Sequence, residues 1–92
     1  MEVTHYRSAE GNGPTIAYVC FKIPEWGLHL NGCSLIRARS GGRFISFPSK
    51  KYQKDGEDKY APYFGFDRLV GERFQKTAKA AIDEWVKQRE IE

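Results

Sequence analysis

"TIAYVCFKIPEWGLHL", residues 15–30, sets the fold. From Thr15 to Ile23 the chain alternates, with Ala17, Val19, Phe21 and Ile23 on one face and Tyr18, Cys20 and Lys22 on the other. That period of two is the pattern of a half-buried strand. Pro24-Glu25-Trp26-Gly27 reads as a type II turn. A second strand then runs from about Leu28 to Arg39. If residues 23 and 28 pair across the turn, Phe21 faces Leu30. The apolar side continues through Leu28, Leu30 and Ile36, and the other side collects His29, Asn31, Cys33, Leu35, Arg37 and Arg39.

Working outward, Val3 to Ser8 suits an edge strand, and Glu10-Gly11-Asn12-Gly13-Pro14 is a turn by composition. Ser40-Gly41 suits a two-residue hairpin loop that places Ile45 opposite Ile36, with Phe47 joining the apolar face. A three-residue loop would invert that register, and the two-residue form is preferred because it keeps the core continuous. Asp55-Gly56 marks another hairpin, with a last strand from Glu57 to Phe66 interrupted by Pro62, which requires an edge or a strand end. Asp67 then suits an N-cap, and Phe74, Ala78, Ala81, Ile82 and Trp85 recur at helical spacing. Glu72–Lys76 and Asp83–Lys87 are set for pairing one turn apart on the outer face. The expected class is α+β: an antiparallel sheet of about four to five strands with one C-terminal helix packed on one face.

Length favours one domain spanning residues 1–92. A chain this small gains stability by pairing, so a homodimer formed through a sheet edge or the uncovered face is expected. Six Phe, five Tyr and two Trp argue for a packed core. Neither a membrane-spanning apolar run nor a signal-peptide pattern is present, and two cysteines are too few for a disulfide framework or a zinc site. The expectation is a cytoplasmic protein with reduced thiols and no membrane partner.

The net charge of +3 conceals an uneven layout. Between Glu25 and Asp55 the chain has no carboxylate, yet it carries Arg37, Arg39, Arg43, Lys50, Lys51 and Lys54. Tyr52 interrupts the lysines, and Lys59 follows. A solvated loop accounts for such a strip. A surface that neutralises phosphates and stacks on unpaired bases also accounts for it, and the interleaved Tyr52 with Arg37, Arg39 and Arg43 on a neighbouring hairpin favours that reading. On the second reading the nucleic-acid-binding set is Arg37, Arg39, Arg43, Lys50, Lys51, Tyr52, Lys54 and Lys59. Tyr18, Phe44 and Leu35 on the uncovered face then form either a stacking platform or a dimer interface. His5 and His29 are separate, the glycine pairs lack the lysine of a phosphate-binding loop, and Cys20 and Cys33 fall diagonally on one hairpin face. No enzyme, cofactor, metal or small-molecule substrate is therefore expected.

The blocks "MEVTHYR", "RFISFPSKK" and "DGEDKYAPYF", in that order, resemble the bacterial stage V sporulation protein G (septation protein) family. Phe47-Pro48-Ser49-Lys50 corresponds to that family's Met-Pro-Ser-Lys, Asp55-Gly56-Glu57 to its Asp-Gly-Glu, and Ala61-Pro62 stands in place of a His-Pro. The likeness runs from Met1 to about Trp85. It implies a small dimeric regulator that binds DNA and RNA. The alternative is a protein–protein adaptor using the uncovered face or an edge strand.

Overall fold

A computed structural model describes residues 1–91; Glu92 and the side chains of Glu90 and Ile91, two C-terminal carboxylates among them, lie outside the described residues. The elements are β1 (Glu2–Ser8), β2 (Thr15–Ile23), β3 (Leu28–Arg37), β4 (Arg43–Ser46), β5 (Ser49–Lys54), β6 (Glu57–Pro62) and α1 (Arg68–Ile91). The first four form one antiparallel sheet in sequential order, and β5 and β6 form a separate two-stranded ribbon. The class is α+β, as expected.

Alternation in β2 puts Ala17, Val19 and Phe21 in the core, where Leu30, Cys33, Leu35 and Ile45 join them from β3 and β4. Helix α1 closes this face with Phe74, Ala78 and Ile82, while Ala81 and Trp85 are half-buried. Phe21 and Phe74 meet edge to face at 6.2 Å, and Trp85 lies 5.0 Å from Tyr6. These positions carry the apolar burial that holds so small a domain together.

The first hairpin has the expected register, Ile23 opposite Leu28 and Phe21 opposite Leu30. Its turn differs. Pro24–Trp26 form a single 3-10 turn, and the positive φ (60°) falls on Gly27, whose N–H donates to Pro24 O at 3.1 Å. A type II turn would force that φ onto Trp26, where a Cβ makes it costly.

Beyond Leu30 the expected facing fails at a β-bulge. Val19 pairs with Cys33 but Phe21 with Leu30, so Asn31 and Gly32 together oppose Cys20. Gly32 takes φ 79°, a left-handed conformation that glycine adopts freely. Because side chains alternate with period two, the extra residue inverts every later position of β3. Cys33 and Leu35 turn into the core, Ile36 turns to the open face, and Cys20 and Cys33 fall on opposite faces. Leu35 is therefore no part of an exposed platform.

The next loop has three residues, not two. Ala38 N–H donates to Gly42 O at 2.7 Å and Gly41 N–H to Ala38 O at 3.0 Å, with Gly41 at φ 96°. This is a tight turn closed by a left-handed glycine. It places Leu35, not Ile36, opposite Ile45. The bulge and the longer loop each shift the register by one, so Ile45 stays in the core.

Two further expectations are corrected. β3 stops at Arg37 and β6 at Pro62, which has no N–H to extend a ladder. The helix ion pairs also differ: Glu72 meets Arg68 at 3.7 Å, and Asp83 is taken by Arg43 of β4. A single guanidinium nitrogen of Arg43 reaches both carboxylate oxygens of Asp83.

The two sheet edges are treated differently. On β4, the Gln75 side chain accepts from Ile45 N–H at 2.7 Å and donates to Ile45 O at 2.9 Å, acting as a one-residue surrogate strand. No described element pairs with the outer edge of β1.

Candidate nucleic-acid interface

The ribbon is built by local chemistry. Asp55-Gly56 supplies two consecutive positive φ angles, 55° and 79°, which is a type I′ turn matched to strand twist. That turn fixes the register: Lys50 opposite Ala61, Lys51 opposite Tyr60, Tyr52 opposite Lys59, Gln53 opposite Asp58 and Lys54 opposite Glu57. Every residue of β5 and β6 is exposed. A lone two-stranded ribbon is at best marginally stable in water. Here its base is clamped by aromatic packing: Phe47 lies 4.8 Å from Phe64, 5.7 Å from Phe66 and 5.1 Å from Phe74. Tyr63 N–H closes the base by donating to Pro48 O at 3.2 Å. The ribbon is an arm anchored at one end.

Alternation divides the arm into two unlike faces. One carries Lys50, Tyr52 and Lys54 with Lys59, Ala61 and Glu57; the other carries Lys51 and Gln53 with Asp58 and Tyr60. On the second face Asp58 accepts from Lys51 at 3.2 Å and from Gln53 at 3.4 Å, which neutralises it. On the first, Lys59 leans toward Glu57 at 3.4 Å, while Lys50 and Lys54 have no ion-pair partner among the described residues. Three lysines against one carboxylate leave that face cationic, with the Tyr52 ring between them and 44% exposed.

Four of the eight expected residues are thus gathered on one surface: Lys50, Tyr52, Lys54 and Lys59. Lys51 points away from them. Arg37, Arg39 and Arg43 belong to the other hairpin, at the start of β4, whereas the arm departs beyond its end. Arg43 is also committed: its Nη2 donates to both carboxylate oxygens of Asp83, at 2.6 and 2.7 Å, and Lys79 donates to its backbone oxygen. Its side chain ties β4 to α1. Arg37 faces the same side opposite Arg43, and Arg39 sits in the hairpin loop; neither is buried. The expected single strip is two clusters. Tyr60, 65% exposed on the neutral face, was not among the expected residues, although the two-residue Asp-Gly turn was a sufficient signal to sort all these side chains by parity.

Elsewhere, Tyr18 and Phe44 are exposed on the open sheet face, with the Arg7 guanidinium 5.0 Å above the Tyr18 ring. A cavity of about 390 Å³ lies beside Tyr18, lined by His5, Arg7, Tyr18, Cys20 and Gly32 among others. Burial, with a smaller contribution from Cys20, pushes the Cys33 thiol up to about 11, so it stays protonated at neutral pH. Among the described residues no three His, Cys, Asp or Glu cluster as metal ligands, and no helix is long and apolar enough to cross a membrane.

No protein-family model matches the chain, and neither does a curated protein or a solved structure.

Proposed function

We propose that this chain is a small regulatory protein that binds DNA or RNA through the cationic face of the β5–β6 arm. The observation that carries this reading is the alternation of Lys50, Tyr52, Lys54 and Lys59 on one fully exposed ribbon face, opposite a face neutralised by Asp58. Lysines at that spacing neutralise backbone phosphates and release counterions, and a ring between them stacks on an unpaired base. α1 spends its apolar face on the core and carries a mixed-charge outer face (Glu72, Lys76, Lys79, Asp83, Lys87), so recognition is assigned to the arm, with little sequence selectivity. The resemblance to the stage V sporulation protein G family points the same way.

A mobility-shift titration with single- and double-stranded DNA and RNA at two salt concentrations tests this. Binding should fall steeply with salt. Lys50→Glu with Lys54→Glu should reduce the slope of log affinity against log salt by about 0.7–0.9 for each phosphate no longer neutralised. Tyr52→Ala should weaken single strands more than duplex and leave the slope nearly unchanged. Unchanged affinity in the folded double-glutamate variant removes the proposal. The second reading, a protein–protein adaptor, draws on Tyr18 and Phe44 exposed on the open face. It requires affinity that barely responds to salt and is lost on Phe44→Ser.

A further inference from the structure

The cavity on the open sheet face lies at the foot of the arm. Its walls are the side chains of His5, Arg7, Tyr18 and Cys20. Val19 and Cys33 also border it, but both are buried in the core, so only their backbone reaches the floor. Gly32, the bulge glycine, completes the floor and is the link to the arm. A Cβ placed on it would stand 3.7 Å from Pro48, whose carbonyl closes the arm's base against Tyr63. Lys50, the first lysine of the cationic face, follows Pro48 by two residues.

The lining suits one flat ring and one anion. It contains no carboxylate, and its permanent charge is Arg7. Arg7 rests the face of its guanidinium on the Tyr18 ring at 5.0 Å, which leaves the in-plane N–H groups for phosphate oxygens. Tyr18 and Cys20 stand side by side on β2 as a polarizable wall, opposite Arg7 and His5 of β1. The imidazole nitrogens of His5 can meet the polar edge of a base. A volume of about 390 Å³ is at the lower end of ligand sites, roughly 300–1,000 Å³, and suits a single base. A base inside a duplex is stacked on both sides and cannot enter; an unpaired one can.

What adjoins the cavity decides the occupant. On one side, across Gly32 and Pro48, begins the arm face that carries Lys50, Tyr52, Lys54 and Lys59. The groups that face suits, phosphates and an unpaired base, are the same two that Arg7 and the cavity suit. On the other side, beyond the Arg7–Tyr18 pair, a neighbouring cavity is bordered by Glu10, and the charge reverses. The favourable track therefore runs from the arm into the cavity and stops at Arg7.

We infer that the cavity takes one unstacked base of a single strand whose neighbouring nucleotides lie on the arm, Tyr18 against the base and Arg7 on its phosphate. The inference rests on the arm's binding nucleic acid, and it adds a second, base-sized site that a duplex does not fill.

Cys20 reports on the cavity directly, since it lines the wall while Cys33 is buried with its thiol pushed up to about 11. Maleimide labelling of the wild-type protein is followed with an oligothymidine of about 16 nucleotides, the upper end of single-strand site sizes, and with a duplex of equal length. The single strand at saturation should slow labelling of Cys20 about tenfold, and the duplex by less than about twofold. In anisotropy titrations Tyr18→Ala should weaken the oligothymidine complex about fivefold to a hundredfold and leave duplex binding within about twofold. Tyr18→Phe should keep most of the affinity, because stacking needs the ring and not the hydroxyl. Arg7→Gln should lower the single-strand salt slope by about 0.7. Far-ultraviolet circular dichroism verifies that each variant folds; should Tyr18→Ala unfold, the labelling of the wild type decides. Unchanged labelling with the strand bound overturns the inference, as does equal protection by duplex or a folded Tyr18→Ala with wild-type affinity. If that happens while Lys50→Glu with Lys54→Glu still weakens binding, the arm keeps its role and only the cavity loses its occupant. If no oligonucleotide binds even at low salt, the arm reading and this inference fall together.

Discussion

The four-stranded sheet and the arm are both antiparallel β-structure, yet they are held by different physics. In the sheet, Val19, Phe21, Leu35 and Ile45 are almost wholly buried under α1, and register is enforced by which side chains reach the core. In the arm every strand residue is exposed, and register is enforced by the Asp55-Gly56 turn and the aromatic clamp at the base. One region turns sequence into stability. The other is held in shape at little cost to the core and is free to present charge. Substitutions should therefore separate cleanly into those that unfold the protein and those that only change what it touches.

The sharpest contrast is between two aromatics. Phe74 packs on Phe21, Phe47 and Phe66, so Phe74→Ala should cost about 3–5 kcal/mol in urea denaturation, a large part of a small domain's stability. Tyr60→Ala, on the arm, should stay within about 0.5 kcal/mol. Comparable destabilisation at the two would break the comparison. Gln75→Ala comes next. It leaves the Ile45 backbone groups without their partner and should cost about 1–2 kcal/mol. It also bares the β4 edge, so concentration-dependent aggregation on light scattering should accompany the destabilisation.

One pH effect should arise in the core. The Cys33 thiol ionises near 9 when unfolded but only near 11 when folded. The folded chain thus holds its proton where the unfolded chain has released it. The contribution of this thiol to stability is fully present below pH 9 and is lost as pH rises from about 9 toward 11. Cys33→Ala should flatten that fall, as read from denaturation midpoints across the range, and in the native protein a maleimide should label Cys20 well before Cys33. The smallest effect on stability should come from the arm lysines. Lys50→Glu, Lys54→Glu and Lys51→Glu should each shift the melting temperature by no more than about a degree or two. The first two should weaken nucleic-acid binding severalfold more than the third, because Lys51 lies on the other face and is held by Asp58. Equal effects at all three would mean that the arm's faces are not distinguished.

Much of this was legible along the chain because it is local. Strict alternation bounded by glycine and proline defined β2 to the residue, Ile23 pairs with Leu28 as expected, and helical spacing picked out Phe74, Ala78 and Ile82. The cationic strip was visible, but its division between a free face, a neutral face and a structural arginine was not. Arg43 looks like its neighbours in sequence. Its partner, Asp83, is 40 residues away and arrives only when α1 packs.

Sequence alone therefore determined β2, the pairing of Ile23 with Leu28 and the Asp55-Gly56 turn, since each depends on backbone preferences and periodicity within a few residues. Tertiary structure decided the faces. One extra residue at Asn31-Gly32 and one in the Arg39–Gly41 loop set which side of β3 meets the helix, and neither shift carries a unique local signature. Several registers satisfy the local rules. The one adopted is the one that buries Cys33, Leu35 and Ile45 together beneath α1.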